Sequence, residues 1–408
     1  FTVEIEEAWC ANGYIPTKLG DGEYGVKNGQ YVAKVGGVKF ETLAEAVAAA
    51  EDGETVTLLI SATGAGVVID KSITIDLNGK TYTFTEGVGS TGTESNGFQI
   101  LEGNAVVLKN GTLNVAAESA DKFYILVQNY ANLTVEDMTL DGTNLDKWSK
   151  TDGDSYVLSN NSGTVNISGK TNIIANNDGD KAFAFDVCKY GSYAEPVVTV
   201  DETANINGKI EAVARIGNTY YATLAKAVES AKGGETVELL ADATGAGAVI
   251  DKSITIDFGG YTYTVNSAVG SSGTETLGLQ ILAGNTVTLK NGTLTANGEL
   301  NAQGKVTKVL VQNYANLTVE NMKLIGNENT LYALSNNSGN VNIIGGSVID
   351  GKNGVAFDVC KYGSYAEPVV TVEETVTIVG KIEAVAKIGN GYYATLTKAV
   401  EAAKNGET

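Results

Sequence analysis

The sequence predicts a mainly β fold: tandem solenoid modules, each opening with a short α-helix. Three observations carry this. The stretch TLAEAVAAAEDGETVTLL at 42–59 returns at 223–240 as TLAKAVESAKGGETVELL and begins again at 395–408. Within it the apolar period switches from helical to alternating. Downstream, pairs of short alternating strands recur at a spacing of about 30 residues, the irregular period of a solenoid whose loops vary in length.

The helix comes first in each module. Leu43, Ala46, Val47 and Ala50 fall at i, i+3, i+4 and i+7 and so share one face. Thr42 and Glu45 have capping-box spacing, in which each side chain satisfies a free N–H of the first turn. Lys226 and Lys398 replace that Glu in the other copies, which keep only the Thr cap. Gly53 and Gly234 are expected to end the helix in a left-handed conformation. Val56 and Leu58 then alternate with Thr55 and Thr57 as a strand.

Composition agrees with many short strands and tight turns. The chain has 408 residues, 43% of them hydrophobic, with 49 Gly and 3 Pro. A formal charge of −20 repels phosphate backbones and anionic lipid, which disfavours nucleic-acid and peripheral membrane binding. No apolar run is long enough to span a bilayer, so no membrane insertion is expected. Histidine is absent and Arg215 is the only arginine, which removes the commonest general base and the best carboxylate fork. Cys188 and Cys360 are equivalent positions of two copies. They and Cys10 are expected to be free thiols, with Cys188 and Cys360 packed as small apolar residues.

In chain order, residues 1–30 read as the end of a preceding module, with Phe1, Val3 and Ile5 alternating as a strand. Module 1 spans 31–212. It opens YVAKVGGVKFETL, a strand, a Gly turn and the helix. ATGAGVVIDKSITIDLNGKTYTF, NAVVLKNGTLNV, ANLTVEDMTLDG, GTVNISGKTNII and EPVVTVDETANING follow. Val107, Thr134, Asn166 and Thr199 align as equivalent positions of successive coils. Module 2 spans 213–384 and copies the order. Asp70 and Leu108 return at one spacing as Asp251 and Leu289. Val127 returns later, as Val311, and Leu158 earlier, as Leu334. The spacing changes within polar stretches such as 116–122 and 141–155, so insertions should fall in loops. LDKWSKTDGD at 145–154 has no counterpart in module 2. Residues 385–408 start a third module with its strand and helix. The chain thus reads as an excised piece that opens and closes in mid-unit. Without flexible linkers, the modules should form a semi-rigid rod.

These stretches carry a resemblance. NYANLTVEDMTLDG and DKSITIDLNG resemble the right-handed parallel β-helix proteins related to pectate lyases, and TLAEAVAAAEDGETVTLL resembles the helix that closes the N-terminal end of such folds. YVAKVGGVKFETLAEAVAAA is similar to repeats in surface proteins of gut Gram-positive bacteria. The resemblance covers nearly all of residues 31–408. It implies coils stacked about 4.8 Å apart and hydrogen-bonded in parallel, with the helix as a lid over the leading end. Asn129, Asn160 and Asn166 would then either form an inward ladder of side-chain amides or occupy left-handed turns.

The resemblance raises an enzymatic reading. Related lyases use carboxylates that hold Ca²⁺ and a basic residue that removes a proton. Candidate acids are Asp137, Asp141, Asp186 and Glu195, with Lys189 nearby. Asp137 gives way to Asn321 and Asp141 to Ile325, while Asp186, Lys189 and Glu195 recur only inside a segment copied whole. A solvated acidic surface is the simpler reading, and no catalytic residue, metal or cofactor is expected. Asp70-Lys71 and Asp251-Lys252 read as charged turns. Tyrosines in polar, turn-like sequence are better candidates for ligand contact: Tyr130, Tyr190 and Tyr193, repeated as Tyr314, Tyr362 and Tyr365. Their rings can stack on sugars, although the simpler reading is that they seal loops against the coil.

The expected function is that of a non-catalytic extracellular repeat protein at a bacterial cell surface, a stalk or adhesin. Its partners would be neighbouring modules, glycans or host surface proteins. A polysaccharide lyase and a fibre subunit assembling head to tail are the alternatives.

Overall fold

The organising helix forms at Leu43–Ala49 (α1), Leu224–Ser230 (α2) and Leu396–Ala402 (α3). In α1 the Thr42 hydroxyl accepts from Glu45 N–H and the Glu45 carboxylate accepts from Thr42 N–H, both at 3.1 Å. Thr223 and Thr395 cap their helices alone, as the lysines at the box position dictate. The inward faces of α1 and α2 are buried through Leu43, Ala46 and Val47 and through Leu224, Ala227 and Val228. In α3 only Ala399 is buried, and Leu396 and Val400 are exposed. Gly53 and Gly234 do adopt positive φ, but not at the helix end. The helices stop at extended Ala50 and Ala231, and the glycines serve the next turn, where Glu54 N–H bonds Glu51 C=O. Lys71 and Lys252 have a role too: their ammonium groups bond the last carbonyls of α1 and α2, where the helix dipole favours a cation.

The computed structural model describes residues 1–90, 94–146, 153–177, 181–271 and 275–404. The chain divides into two compact units, Phe1–Glu211 and Ala212–Thr408. Each is a parallel β-solenoid.

In the first unit each coil runs through three strand columns, paired in parallel with the same column one coil away. The first column includes Thr55–Leu58 and the leading halves of Thr74–Glu86, Ala105–Val115 and Asn132–Asp141. Val107, Thr134, Asn166 and Thr199 are register partners in it, one per coil. In the second unit Thr288, Thr318, Asn342 and Thr371 repeat this. Between the first and second columns the chain turns a left-handed corner at Asn78, Asn110, Asp137 and Gly169. Asn and Asp tolerate that conformation because their short polar side chains bond the backbone locally. The third column of the first unit is a six-stranded parallel sheet of Val67–Ile69, Asn96–Ile100, Ile125–Asn129, Ser155–Asn160, Ala182–Val187 and Lys209–Glu211.

The inside is apolar, with Phe84, Phe98 and Phe123 packed at centroid distances of 5.0 and 6.3 Å. Among the described residues, inward asparagines interrupt it in both units. Asn129 donates to Asn160 Oδ1, and Asn313 to Asn336 Oδ1, each at 2.9 Å, and all four are fully buried. Asn166 is not part of the ladder. It lies mid-strand on the outer face and is exposed, because its neighbours Val165 and Ile167 take the inward positions.

Two further expectations are corrected. Residues 1–6 are not a strand: a 3-10 turn at Glu7–Trp9 follows them, and Phe1 and Val3 lie exposed. The strands of this region are instead an antiparallel hairpin, Tyr14–Gly20 with Glu23–Asn28, turning at Asp21-Gly22. Cys188 and Cys360 are free but exposed, not packed. The strand ends at Val187, and Cys188 falls in the following turn, where its N–H bonds Asn160 C=O. Of the two polar stretches, 116–122 contains the 3-10 helix Ala117–Lys122, outside the strands. Residues 147–152 of the other lie outside the described residues.

Candidate functional site

The third column carries the densest chemistry of each unit. Its strands break simple alternation: Leu126 and Val127, Val157 and Leu158, and Ala184 and Phe185 are consecutive and fully buried. Residues on either side of each pair therefore fall on the outer face. One outward row is Gln99, Gln128, Ser159, Asp186 and Glu211, aligned by register. The other includes Asn96, Tyr156 and Phe183. Gln128 Oε1 accepts from Asn96 at 3.0 Å and Gln99 at 2.8 Å, so the amides form a connected outer chain. Tyr156 stacks on Phe183 at 5.3 Å, and its hydroxyl donates to Glu211 at 2.9 Å.

Asp186 sits in this row almost fully buried. Asn160 N–H donates to it at 3.0 Å, but burial dominates and pushes its carboxyl up to about 8. Glu211 nearby adds to the rise, while hydrogen bonds from Ser159 and Asn160 oppose it. Asp358 repeats the position in the second unit, with Ser335 and Asn336 as donors, and burial raises it to about 6. Gln280, Gln312, Ser335, Asp358 and Glu383 are the matching row there.

The tyrosines singled out from sequence gather beside this row. Tyr130 lies 6.1 Å from Tyr190 and 5.2 Å from Tyr193, and Tyr190 lies 6.3 Å from Tyr193. Tyr314, Tyr362 and Tyr365 reproduce these separations as 5.9, 5.3 and 6.4 Å. Tyr130 is half-buried, and burial followed by the neighbouring tyrosines pushes its hydroxyl up to about 12. Tyr190 and Tyr362 are each 61% exposed. The turn is held by Tyr190 N–H on Asn161 C=O, Tyr193 N–H on Tyr190 C=O, and a 3.0 Å Lys189–Glu195 ion pair, repeated as Lys361–Glu367.

The candidate acids do not converge. Asp137 is the left-handed corner residue and accepts from Lys170 N–H. Asp141 ends its strand and accepts from Thr143 N–H. Asp186 is on the third column. Glu211 and Tyr156 were not legible as partners of Asp186. The signal was there: Gln99, Gln128, Ser159 and Asp186 each follow a buried apolar residue in FQI, VQN, LSN and FDV.

Among the described residues no group of three or more His, Cys, Asp or Glu side chains could hold a metal ion, and no helix is long and apolar enough to cross a membrane. Comparison with known proteins gives no matching family model, curated protein or solved structure.

Proposed function

We propose that this chain is a non-catalytic segment of a bacterial surface protein, a stalk or adhesin, in which each solenoid unit presents a tyrosine platform to a glycan. The observation that carries the reading is the repeated trio: three rings at nearly the same spacings in both units, with Tyr190 open to solvent in one and Tyr362 and Tyr365 in the other. A tyrosine face takes the C–H face of a sugar, and its hydroxyl adds a hydrogen bond. Gln128, bonded to Asn96, Gln99 and Asn161, belongs to the adjoining outer row. Two platforms on one chain raise avidity without a new contact. The resemblance to pectate-lyase-like folds and to gut Gram-positive surface repeats supports the location. Glycan arrays probed with the full chain test the reading: retained glycans that the Tyr190→Ala, Tyr362→Ala double variant no longer binds are expected. A blank array, or equal binding by the variant, removes it.

One observation favours a second reading, polysaccharide cleavage. Burial raises the Asp186 carboxyl, its register partner Glu211 is exposed and bonded to Tyr156, and paired carboxyl groups in unlike surroundings can divide acid and base roles. Incubation with uronate and neutral polysaccharides, with and without Ca²⁺, separates the two. New chain ends that disappear in Asp186→Asn would replace the binding reading with this one.

A further inference from the structure

We propose that the open edge of the Ala62–Ala65 strand is a docking site for an extended polypeptide strand of a partner protein. Every strand inside the stack has neighbours on both sides, but the first coil lacks one on its leading side. Two of its three strands are covered there. Thr55–Leu58 pairs antiparallel with Ala33–Val35, and α1 packs against Val67–Ile69. The third, Ala62–Ala65, pairs only with Thr74–Glu86. Among the described residues no strand pairs with its other edge, and such an edge is a template for a further strand.

Charge and proline, two common protections of an edge, are missing. Residues 59–69 contain neither a charge nor a proline. The one register shift falls between Gly64 and Ala65 and leaves Ala62–Gly64 regular. The strand is also held ready from inside. The Tyr82 hydroxyl donates to Ala65 C=O at 3.0 Å and lies so close to Gly64 that a Cβ there would meet it at 2.3 Å. A groove of about 580 Å³ runs beside the edge, lined by Gly13, Asn28 and Gly29 on one wall and Ile60, Ser61 and Thr63 on the other. No charged residue lines it, although the chain carries −20. The second unit keeps the feature: Ala243–Ala246 has the same sequence, pairs with Thr262–Ser267 and is pinned by Tyr263 on Ala246 C=O at 2.7 Å.

These properties choose the occupant. Only a polypeptide backbone presents N–H and C=O groups at the repeat of a strand edge, so the partner is an extended peptide. The uncharged, glycine-walled groove selects small or hydroxylated uncharged side chains. The site is separate from the tyrosine platform and does not depend on it.

Amide hydrogen exchange on the full chain, with and without a millimolar capped peptide of alternating threonine and valine, tests this. The peptide is expected to slow exchange about tenfold at Ala62–Ala65 while leaving the interior strand Ala105–Val115 unchanged. Asn28→Trp, which fills the groove from the separate hairpin, is expected to abolish the protection. Unchanged exchange at Ala62–Ala65 with saturating peptide overturns the proposal, and so does full protection in Asn28→Trp.

Discussion

Asn129 and Asn160 sit one above the other inside the first solenoid, with Asn129 Nδ2 donating to Asn160 Oδ1 at 2.9 Å. Asn129 also donates to Ala131 C=O and accepts from Ala131 N–H, and Asn160 donates to Val197 C=O. Each amide thus satisfies buried backbone at the end of the third column, where the chain turns toward the next coil. Asn160→Ala is expected to destabilise by about 2–3 kcal/mol, because it leaves buried donors and acceptors without partners. Asn166→Ala, on the exposed outer face, should stay within about 0.5 kcal/mol. Urea titrations of both variants make the comparison, and equal costs would refute the ladder.

Buried Asp186 predicts an unusual pH dependence. Its carboxyl is raised to about 8 in the folded chain, against 3.8 for the ordinary side chain. Between these values the folded state holds a proton that the unfolded state has lost. Stability from this group is therefore present at low pH, declines as pH rises through the window, and levels off above about pH 8. Asp186→Asn keeps the shape without the proton. Relative to the parent, it should gain thermal stability as pH rises from about 5 to 8. Asp358, raised to about 6, should act over a narrower window. A Tm difference between variant and parent that is flat in pH would refute the assignment.

Tyr190 and Tyr130 should separate binding from folding. Tyr190→Ala removes an exposed ring and is expected to change stability by less than about 0.5 kcal/mol while weakening glycan binding. Tyr130→Ala empties the half-buried base of the trio and should cost about 1–3 kcal/mol. Calorimetric melting alongside glycan titration checks both, and a large stability loss in Tyr190→Ala would mark the trio as packing.

Close backbone approach between coils makes certain glycines irreplaceable. A Cβ on Gly247 would lie 2.0 Å from Gly278 C=O, and one on Gly97 would lie 2.6 Å from Leu126 C=O. Gly247→Ala and Gly97→Ala are each expected to cost about 1–3 kcal/mol or more by forcing the coils apart. Gly37→Ala meets no atom within 4 Å and has no positive φ, so it should be neutral. Denaturation midpoints decide, and a mild effect at Gly247 would mean that the coils can shift to make room.

Much of this molecule is written in short-range order. The Thr42–Glu45 cap, the i, i+3, i+4 face of α1 and the alternation around Val107 and Thr134 involve neighbours along the chain, so they follow from the residues themselves. The coil alone decides which side of it a residue occupies. Where Leu126 and Val127 both turn inward, the two-residue period resets, and everything beyond changes face relative to a simple count. That is why Asn129 and Asn160 enter the core and why Asp186 lies in one row with Ser159 and Glu211. The bend comes from packing each strand on the coils above and below it, and no stretch of sequence contains those neighbours.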